Sequence, residues 1–298
     1  MRLIFKSVNL DTLSKYVEFW NMTPQKSSDY STGVLLCWER ALGYEFAFDE
    51  EESLVWIRGR VPEEHFLAPV GELARPDWGD LLRARFGREA KFHIVPEALV
   101  DIWRESFGGA MTAEENRGSW EYLHRARDLR TLSGSRYVKK RNRINQFVKQ
   151  NPYTYLPINE ELLPRIIEFQ KKWRDSYKVY GNAQSIEAES DGIISAVLGN
   201  WSRLPQMSGG AIEVLGDIAA YTVAERVGKD LLMIHFEKAS LEYSAAYQVI
   251  NREFLLNGGK GCETVNREED MDDLGLRDAK MSYHPESFIK KYTVTINL

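Results

Sequence analysis

Residues 211–259 read AIEVLGDIAAYTVAERVGKDLLMIHFEKASLEYSAAYQVINREFLLNGG, and this stretch decides the fold. Its apolar and β-branched runs predict three consecutive strands, over residues 211–215, 218–226 and 231–239. Gly216 and Asp217 separate the first two runs and are typical of a tight hairpin turn. A helix is predicted over residues 244–256, because its apolar positions recur at helical spacing and two glycines follow it. The stretch therefore predicts three strands that lead into one helix.

The flanking segments extend this pattern on both sides. Upstream we predict a strand over residues 153–158, a helix that begins after Asn159 and ends near Gly181, and a second helix over residues 186–204. Downstream we predict a strand over residues 263–266, a helix over 274–281 and a last strand over 288–296. This element order resembles that of the GNAT acyltransferase fold, a mixed α/β sheet.

The first half of the chain shows a similar order of elements. Strands are predicted over residues 3–8, 44–48, 53–58, 65–70 and 91–95, and helices over 11–20, 33–42, 76–86 and 98–107. Residues 113–150 are expected to be helical. We therefore predict an α/β (α+β) protein of two tandem GNAT-like domains, each a mixed twisted sheet flanked by helices. The N-terminal domain would span residues 1–130, a basic connecting helix 131–150, and a C-terminal domain with the active site 151–298.

Length and composition agree with two soluble domains. The chain has 298 residues, 12% of them aromatic, and a net charge of −5. These values exclude wholesale disorder and a protein that coats nucleic acid along its whole surface. Any nucleic-acid or phosphate site must therefore be a local basic patch on an acidic body.

Cysteine, histidine and apolar runs restrict the chemistry and the compartment. Cys37 and Cys262 are far apart, so a disulfide framework and a cysteine-built zinc site are not expected. The histidines show no metal-ligand spacing, so we predict no metal. No apolar run approaches a membrane span, and we expect a cytoplasmic protein without a transmembrane segment. The motifs of Walker loops, dinucleotide folds, zinc hydrolases and serine hydrolases are all absent from the sequence.

A basic helix is the most unusual local feature. Residues 131–150 contain six basic and no acidic residues. On a helix, Arg136, Lys140 and Arg143 would share one face, while Tyr137, Ile144 and Val148 would form an apolar stripe. The predicted polyanion-binding residues are Arg136, Lys139, Lys140, Arg141 and Arg143. The alternative is a solvated helix whose charges pair with the acidic surface.

Two further groups of polar residues lie on the predicted third strand and the helix after it. Strand alternation would place His235 and Glu237 on one face and Lys238 on the other. A histidine with a carboxylate serves as a general base or as a structural hydrogen-bonded pair. On the helix, Tyr247 and Asn251 share a face with Phe254, where they would line a polar cleft or make interior hydrogen bonds.

The run from residue 266 to 285 concentrates ionisable groups at a strand end and the following helix. Arg277 and Lys280 would share a helix face and could hold a carboxylate, a phosphate or an oxyanion. Tyr283 could protonate a leaving group. Asn266, Glu268 and Asp270 complete the predicted substrate-binding residues with Lys238, Tyr247 and Asn251. The alternative is an ion-pair network that closes the helix.

Several of these segments together resemble a known family. They are LSGSRYVKKRNRINQF (132–147), HFEK (235–238), INRE (250–253), NREED (266–270), GLRDAK (275–280) and SYHP (282–285). They resemble a bacterial family of largely unknown function, grouped with the C-terminal catalytic domain of phosphatidylglycerol lysyltransferase. That family is similar to tandem GNAT proteins such as the Fem-type peptidoglycan aminoacyltransferases. The resemblance implies transfer of an amino acid from aminoacyl-tRNA to an amine or hydroxyl acceptor.

Three departures from that pattern bear on the substrates. The membrane lysyltransferases have many membrane spans before this domain, whereas no span is predicted in this chain. This difference argues against a lipid acceptor. Their catalytic strand carries an Asp followed shortly by Arg, where this chain has Glu237 and Lys238. CoA-dependent GNAT enzymes cradle pyrophosphate on a glycine-rich turn, but residues 240–246 read SLEYSAA and contain no glycine. This difference favours a tRNA-linked donor or an unusual CoA pose.

The resemblance implies roles for the predicted residues. The acceptor would attack the donor ester directly, with Arg277 and Lys280 stabilising negative charge and Glu237 or His235 orienting or deprotonating the nucleophile. Tyr283 would serve the leaving group, and the basic helix would contact tRNA. No tightly bound cofactor is expected, and the acceptor would be a small molecule, a peptide or a lipid headgroup. Two alternatives stay open: an acyl-CoA-dependent N-acyltransferase, and a GNAT-fold module that binds an anionic metabolite without turnover.

Overall fold

The computed structural model describes residues 3–180 and 191–298. Two compact units are present: Met1–Glu121 with Glu269–Arg277 and Phe288–Leu298, and Tyr122–Glu268 with Asp278–Ser287. The mixed α/β class is confirmed. The predicted domains were contiguous, whereas in the structure two short C-terminal segments belong to the first unit.

The elements are numbered in chain order. The strands are β1 (Lys6–Ser7), β2 (Glu45–Asp49), β3 (Leu54–Gly59), β4 (His65–Phe66), β5 (Val70–Gly71), β6 (Glu89–Pro96), β7 (Met111–Glu115), β8 (Glu121–Arg125), β9 (Tyr153–Pro157), β10 (Met207–Val214), β11 (Asp217–Val227), β12 (Leu231–Ala239), β13 (Thr264–Asn266), β14 (Ser287–Ile289) and β15 (Lys291–Asn297). The helices are α1 (Leu10–Met22), α2 (Thr32–Leu42), α3 (Trp78–Phe86), α4 (Glu97–Phe107), α5 (Ala126–Thr131), α6 (Val138–Gln150), α7 (Leu163–Tyr180), α8 (Asp191–Leu198), α9 (Ala246–Asn257) and α10 (Leu274–Met281).

The second unit is built on one sheet of strand order β14-β8-β13-β12-β11-β10-β9. Strands β9 to β12 are antiparallel neighbours, and β12 pairs with β13 in parallel. Helices α5, α6 and α9 cover one face through a buried apolar cluster that includes Leu129, Ile144, Phe147, Ile250 and Phe254. A parallel neighbour for β12 requires a crossover, and α9 supplies it between the two strands.

The first unit contains two sheets. One has the order β1-β2-β3-β4, with β5 also paired to β3, and the other has the order β6-β15-β7. An isolated parallel bridge between Leu67 and His93 connects them. Buried indole rings fill the interior, at Trp56, Trp78 and Trp103. The sequence predicted a single sheet in this half.

A buried ionic cluster lies in the first unit around Lys291 of β15. The Lys291 side chain is 0% exposed, contacts the Asp29 carboxylate, and lies 2.7 Å from Glu121 Oε1 and 3.7 Å from Glu269 Oε2. Glu121 also accepts hydrogen bonds from the Ser27 hydroxyl (2.6 Å) and the Ser28 backbone N–H (2.9 Å). Three carboxylates therefore share one ammonium group, whose burial would be costly without them.

Several predictions of individual elements were wrong. Residues 113–125 were expected to be helical, but Met111–Glu115 forms β7 and Glu121–Arg125 forms β8. The predicted strand over residues 65–70 is two short strands, β4 and β5, and the predicted basic helix over 131–150 begins only at Val138, as α6. The predicted last strand is two strands, β14 and β15, that belong to different sheets. Residues 3–8 form only the short strand β1. Short strands without apolar alternation give a weak sequence signal, since their pairing partners are distant in the chain. The predicted helix end at Gly181 and helix start at Ile186 lie outside the described residues.

Candidate active site

The candidate site lies in the second unit, where β12 extends beyond its parallel neighbour β13. The two strands pair only from Leu231 opposite Thr264 to Met233 opposite Asn266. The second half of β12 therefore has no ladder partner on that side in the described part of the chain. In open α/β sheets, ligands bind beyond the carboxyl ends of parallel strands. Side chains of β12 meet here with those that follow β13.

A bulge in β12 places His235 between two carboxylates. Ile234 lies opposite Ala224 and Phe236 opposite Val223, so His235 is the extra residue in the register. Its Nε2 lies 3.2 Å from Glu225 Oε2 and its Nδ1 lies 2.7 Å from Glu268 Oε1.

These contacts decide the protonation state of His235. Burial alone would lower the pKa of His235, but the hydrogen bonds and charges of Glu225 and Glu268 outweigh it and raise the pKa to about 10. The ring is therefore an imidazolium at neutral pH, which donates to both carboxylates.

Glu237 belongs to a different set of contacts from His235. Its Oε2 accepts a hydrogen bond from Asn251 Nδ2 of α9 at 2.9 Å, and its Oε1 lies 3.0 Å from Arg267 Nη2. The predicted shared face of His235 and Glu237 is thus not seen in their contacts, because the bulge at His235 interrupts strand alternation. The structure does bring Glu237 and Asn251 together.

Arg267 follows β13 and connects Glu237 to an aromatic ring. The Arg267 guanidinium lies 4.7 Å from the centroid of the Tyr283 ring. Lys140 Nζ of α6 lies 3.5 Å from the same centroid and donates a hydrogen bond to Ser282 Oγ at 2.7 Å. Burial raises the pKa of Tyr283 well above its usual value, so its hydroxyl stays protonated and is a weak acid.

Lys280 is buried and binds the backbone of the segment that follows β13. Its Nζ donates a hydrogen bond to the Arg267 carbonyl oxygen at 2.6 Å. Nearby, burial and the charges of Arg267 and Lys280 lower the pKa of His124 to about 3. His124 is therefore neutral at neutral pH.

Arg277 makes its ion pairs in the first unit. Its guanidinium bonds to both carboxylate oxygens of Asp270, each at 2.8 Å, and to Asp272 Oδ1 at 2.8 Å. Asp270 is 0% exposed and also lies 3.0 Å from Arg117 Nη1. Arg277 and Lys280 share helix α10, yet Arg277 bonds to Asp270 and Asp272, whereas Lys280 bonds to the Arg267 carbonyl oxygen.

The remaining predicted residues have different surroundings. Lys238 is buried, with its Nζ 4.2 Å from the centroid of the Trp173 ring. Asn266 is buried and accepts a hydrogen bond from the Glu268 N–H at 2.8 Å, which supports the left-handed backbone of Glu268 (φ 57°). Tyr247 is exposed on α9. A non-glycine residue with positive φ is uncommon and often marks a functional loop.

The basic segment 131–150, of which Val138–Gln150 forms α6, contains both paired cations and exposed ones. Arg136 pairs with Asp128 at 2.7 Å, and Arg141 donates to the carbonyl oxygens of Leu132 and Gly134. Lys139 and Arg143 are exposed. Ile144 and Phe147 pack into the core, whereas Val148 of the predicted apolar stripe is 43% exposed.

Two residues of the site were not predicted. Glu225 lies in a strand of otherwise apolar side chains and is 2% exposed, so a carboxylate inside an apolar run was the available signal. Arg267 lies within the NREED segment, but only the tertiary structure shows that it reaches Glu237. No group of side chains able to hold a metal occurs within residues 3–180 and 191–298.

Comparison with known proteins identifies relatives over most of the chain. Residues 20–295 match the family model described as phosphatidylglycerol lysyltransferase, C-terminal. An uncharacterised protein of Mycoplasmoides gallisepticum is 25% identical over 183 residues, which cover 61% of this chain and 58% of that protein. The chain thus spans somewhat over half the length of this curated relative.

Three solved structures show the same fold. A conserved protein of unknown function from Bacteroides thetaiotaomicron superimposes with a TM-score of 0.86 at 24% identity over 99% of both chains. FemX superimposes with a TM-score of 0.64 at 8% identity, over 99% of this chain and 98% of FemX. The C-terminal domain of a putative lysylphosphatidylglycerol synthetase from Agrobacterium fabrum gives 0.63 at 14% identity, over 96% and 92% of the chains. Among the helices described, none is both long and apolar enough to cross a membrane.

Proposed function

Because the chain belongs to the phosphatidylglycerol lysyltransferase C-terminal family, we propose that it transfers an aminoacyl group from aminoacyl-tRNA to an amine or hydroxyl acceptor. The observation that carries this proposal is Glu237, a carboxylate held by Asn251 and Arg267 at the edge where β12 and β13 part. Such a carboxylate can accept a proton from a nucleophile once both substrates are in place. We also expect a cytoplasmic location, where charged tRNA is available.

The proposed reaction needs no covalent enzyme intermediate. The acceptor oxygen or nitrogen attacks the ester carbonyl carbon, and the bond between that carbon and the ribose oxygen breaks. Glu237 takes the proton of the acceptor and returns it to the departing ribose oxygen. We assign the proton return to Glu237 rather than Tyr283, because the raised pKa of Tyr283 makes its hydroxyl a weak acid. We assign the stabilisation of negative charge to Arg267, which pairs with Glu237, and to Lys280, which binds the Arg267 carbonyl oxygen.

The Glu225–His235–Glu268 network suits the amino group of the donor. Two carboxylates and one imidazolium carry a net charge of −1, and an aminoacyl ester carries an α-ammonium group. Glu268 has a side chain that is 18% exposed, against 3% for Glu225, and is the carboxylate that a ligand could reach. We assign recognition of the α-ammonium to Glu268, with His235 and Glu225 as positioning residues.

A transfer assay tests the proposal. Mixed radiolabelled aminoacyl-tRNA is incubated with amine and hydroxyl acceptors, and acceptor-dependent loss of the tRNA ester is measured. We expect Glu237→Gln to lower the rate by about 10²- to 10⁴-fold, the usual contribution of a general base. Glu263→Gln, which neutralises an exposed carboxylate just before β13, is the matched control and should retain activity. The proposal would be contradicted if the amount of aminoacyl-tRNA ester were the same with and without every acceptor, or if Glu237→Gln kept full activity.

A second donor is tested in the same experiment. Acetyl-CoA replaces aminoacyl-tRNA as the acyl source. The segment before α9, which begins at Ala246, lacks the glycine turn typical of CoA sites, so we expect no transfer from acetyl-CoA. Acyl transfer from CoA but not from tRNA would support the CoA-dependent alternative. Tight ligand binding with neither donor consumed would support a binding module without turnover.

A further inference from the structure

Two cations in the second unit, Arg267 and Lys140, share the Tyr283 ring and have one carboxylate, Glu237, bound to them. Arg267 Nη2 is paired with Glu237, but its Nη1 is buried and has no hydrogen-bond acceptor among the residues that the structure describes. A buried guanidinium nitrogen without an acceptor is costly, and native proteins rarely leave one unless a ligand or water completes it. The unsatisfied nitrogen therefore points to a missing acceptor.

Lys140 supplies a second cation to the ring that Arg267 contacts. Its Nζ and the Arg267 guanidinium both lie over the Tyr283 ring, at 3.5 and 4.7 Å from the centroid. The hydrogen-bond partner of Lys140 is the neutral Ser282 hydroxyl, and no carboxylate pairs with Lys140 in the described chain. Among residues 3–180 and 191–298, Glu237 is the one carboxylate bound to these two cations, so the surplus is positive.

The pKa of Lys140 reflects its burial and the nearby charge of Arg267. Burial, and after it the charges of Arg267 and Arg143, lower the pKa of Lys140 to about 8. Two cations that repel each other at a partly buried site are stabilised by an anion between them. Arg and Lys together are the usual protein ligands of phosphate, through bidentate and point-charge contacts respectively.

We propose that Lys140 and Arg267, with the Tyr283 ring as their platform, bind one phosphate group, and that this phosphate belongs to the nucleotide that carries the acyl ester. The assignment to the donor rests on the proposed function. Arg267 contacts the proposed base Glu237 through Nη2, so an anion on its Nη1 lies close to the reacting ester. In an aminoacyl nucleotide, only the ribose separates the ester from the 5′-phosphate, whereas in acyl-CoA the long pantetheine arm separates the thioester from every phosphate.

The acceptor is the other source of such a group, because a lipid headgroup of the glycerophosphate type also carries a phosphate near its hydroxyls. The shared chemistry is a phosphate group bound by Lys140 and Arg267. The probes therefore include a soluble headgroup analogue beside the nucleotide.

The experiment measures binding of small probes by calorimetry and ³¹P NMR. The probes are 5′-AMP, adenosine and glycerophosphoglycerol, and the proteins are the full chain and its variants Lys140→Gln, Arg267→Gln and Lys149→Gln. Lys149 is an exposed cation at the end of the same helix and serves as the matched control for lost charge. Thermal unfolding of each variant establishes that it is folded at the assay temperature.

We expect 5′-AMP to bind more tightly than adenosine, and Lys140→Gln and Arg267→Gln each to weaken it by about ten- to a hundredfold. Lys149→Gln should bind 5′-AMP like the unmodified protein, and adenosine binding should be the same in all proteins. Equal 5′-AMP binding by Lys140→Gln and the unmodified protein would overturn the site, even if Arg267→Gln fails to fold. Tighter, Lys140-dependent binding of glycerophosphoglycerol would overturn the assignment to the donor.

The two proposals fail in different ways. Acceptor-dependent transfer from aminoacyl-tRNA that is unaffected in Lys140→Gln would refute the phosphate site and leave the proposed function intact. Lys140-dependent 5′-AMP binding without transfer from any donor would refute the proposed function and leave a nucleotide site.

Discussion

Because His235 is an imidazolium in the folded protein, we predict how the free energy of unfolding depends on pH. Its pKa rises from 6.5 to about 10 in the folded protein, because Glu225 and Glu268 outweigh the effect of burial. At about 1.4 kcal/mol for each pH unit, the difference is worth about 5 kcal/mol of folding free energy. Since the folded pKa lies above the unfolded one, this stability is fully present below pH 6.5 and is lost as the pH rises towards 10.

Replacing His235 should remove this pH dependence. In His235→Asn the two carboxylates keep their burial but lose the shared cation, so the variant should be less stable by about 3–5 kcal/mol at pH 6.5. The stability gap between the unmodified protein and the variant should then shrink by roughly 3 kcal/mol between pH 6.5 and 9. Urea unfolding at pH 6.5, 7.5 and 9, followed by tryptophan fluorescence and circular dichroism, measures this gap.

Two controls isolate the contribution of His235. His284→Asn changes an exposed histidine of the same unit whose backbone (φ 54°) suits asparagine, and it should leave the pH dependence of stability as it was. Glu225→Gln keeps the histidine but removes one carboxylate, so the loss of stability should begin at a lower pH. A constant gap between the unmodified protein and His235→Asn across this pH range would refute the assignment of a charged, doubly paired imidazole.

Further predictions concern both units. Asp270→Asn should destabilise the protein by about 3 kcal/mol in urea unfolding, because the buried carboxylate neutralises Arg117 and Arg277, whereas Asp272→Asn at a 72% exposed side chain should cost less than about 1 kcal/mol. Burial, opposed in part by Lys291, raises the pKa of Asp29 from 3.8 to about 6, so stability should fall by up to about 3 kcal/mol as the pH rises from 4 to 6. Asp29→Asn should flatten that part of the stability curve in thermal melts; an unchanged curve would contradict the raised pKa. If α6 contacts tRNA, reversing the exposed Lys139 and Arg143 to Glu should lower the log–log salt slope of tRNA binding by about 2, and an unchanged slope would place the contact elsewhere.

Local sequence pattern predicted the centre of the second unit well. The hairpin at Gly216 and Asp217, the third strand and the helix after it occur as β10, β11, β12 and α9, with boundaries that differ by a few residues. Hydrophobic periodicity and a turn pair act over a few residues, so a single sequence is enough to read them. The segments that resemble the family also contain most of the side chains that meet at the edge of β12.

Pairings between distant segments could not be read in the same way. β7 is a polar, half-exposed strand whose partner β15 lies near the other end of the chain, and nothing in its own residues indicates that pairing. The split of the last predicted strand into β14 and β15 has the same origin, because the two halves pair with different sheets. Such contacts depend on where the chain returns, which short-range patterns do not contain.

The sequence by itself determined which segments concentrate charged and polar side chains: the basic helix, the HFEK strand and the NREED, GLRDAK and SYHP segments. The tertiary structure decided how they combine. One inserted residue in β12 separates His235 from Glu237, since strand alternation holds only while the register is regular. Arg267 and Lys140 both lie over the Tyr283 ring, and Arg277 pairs with Asp270. A long cationic side chain binds the aromatic ring or the carboxylate that packing places within its reach.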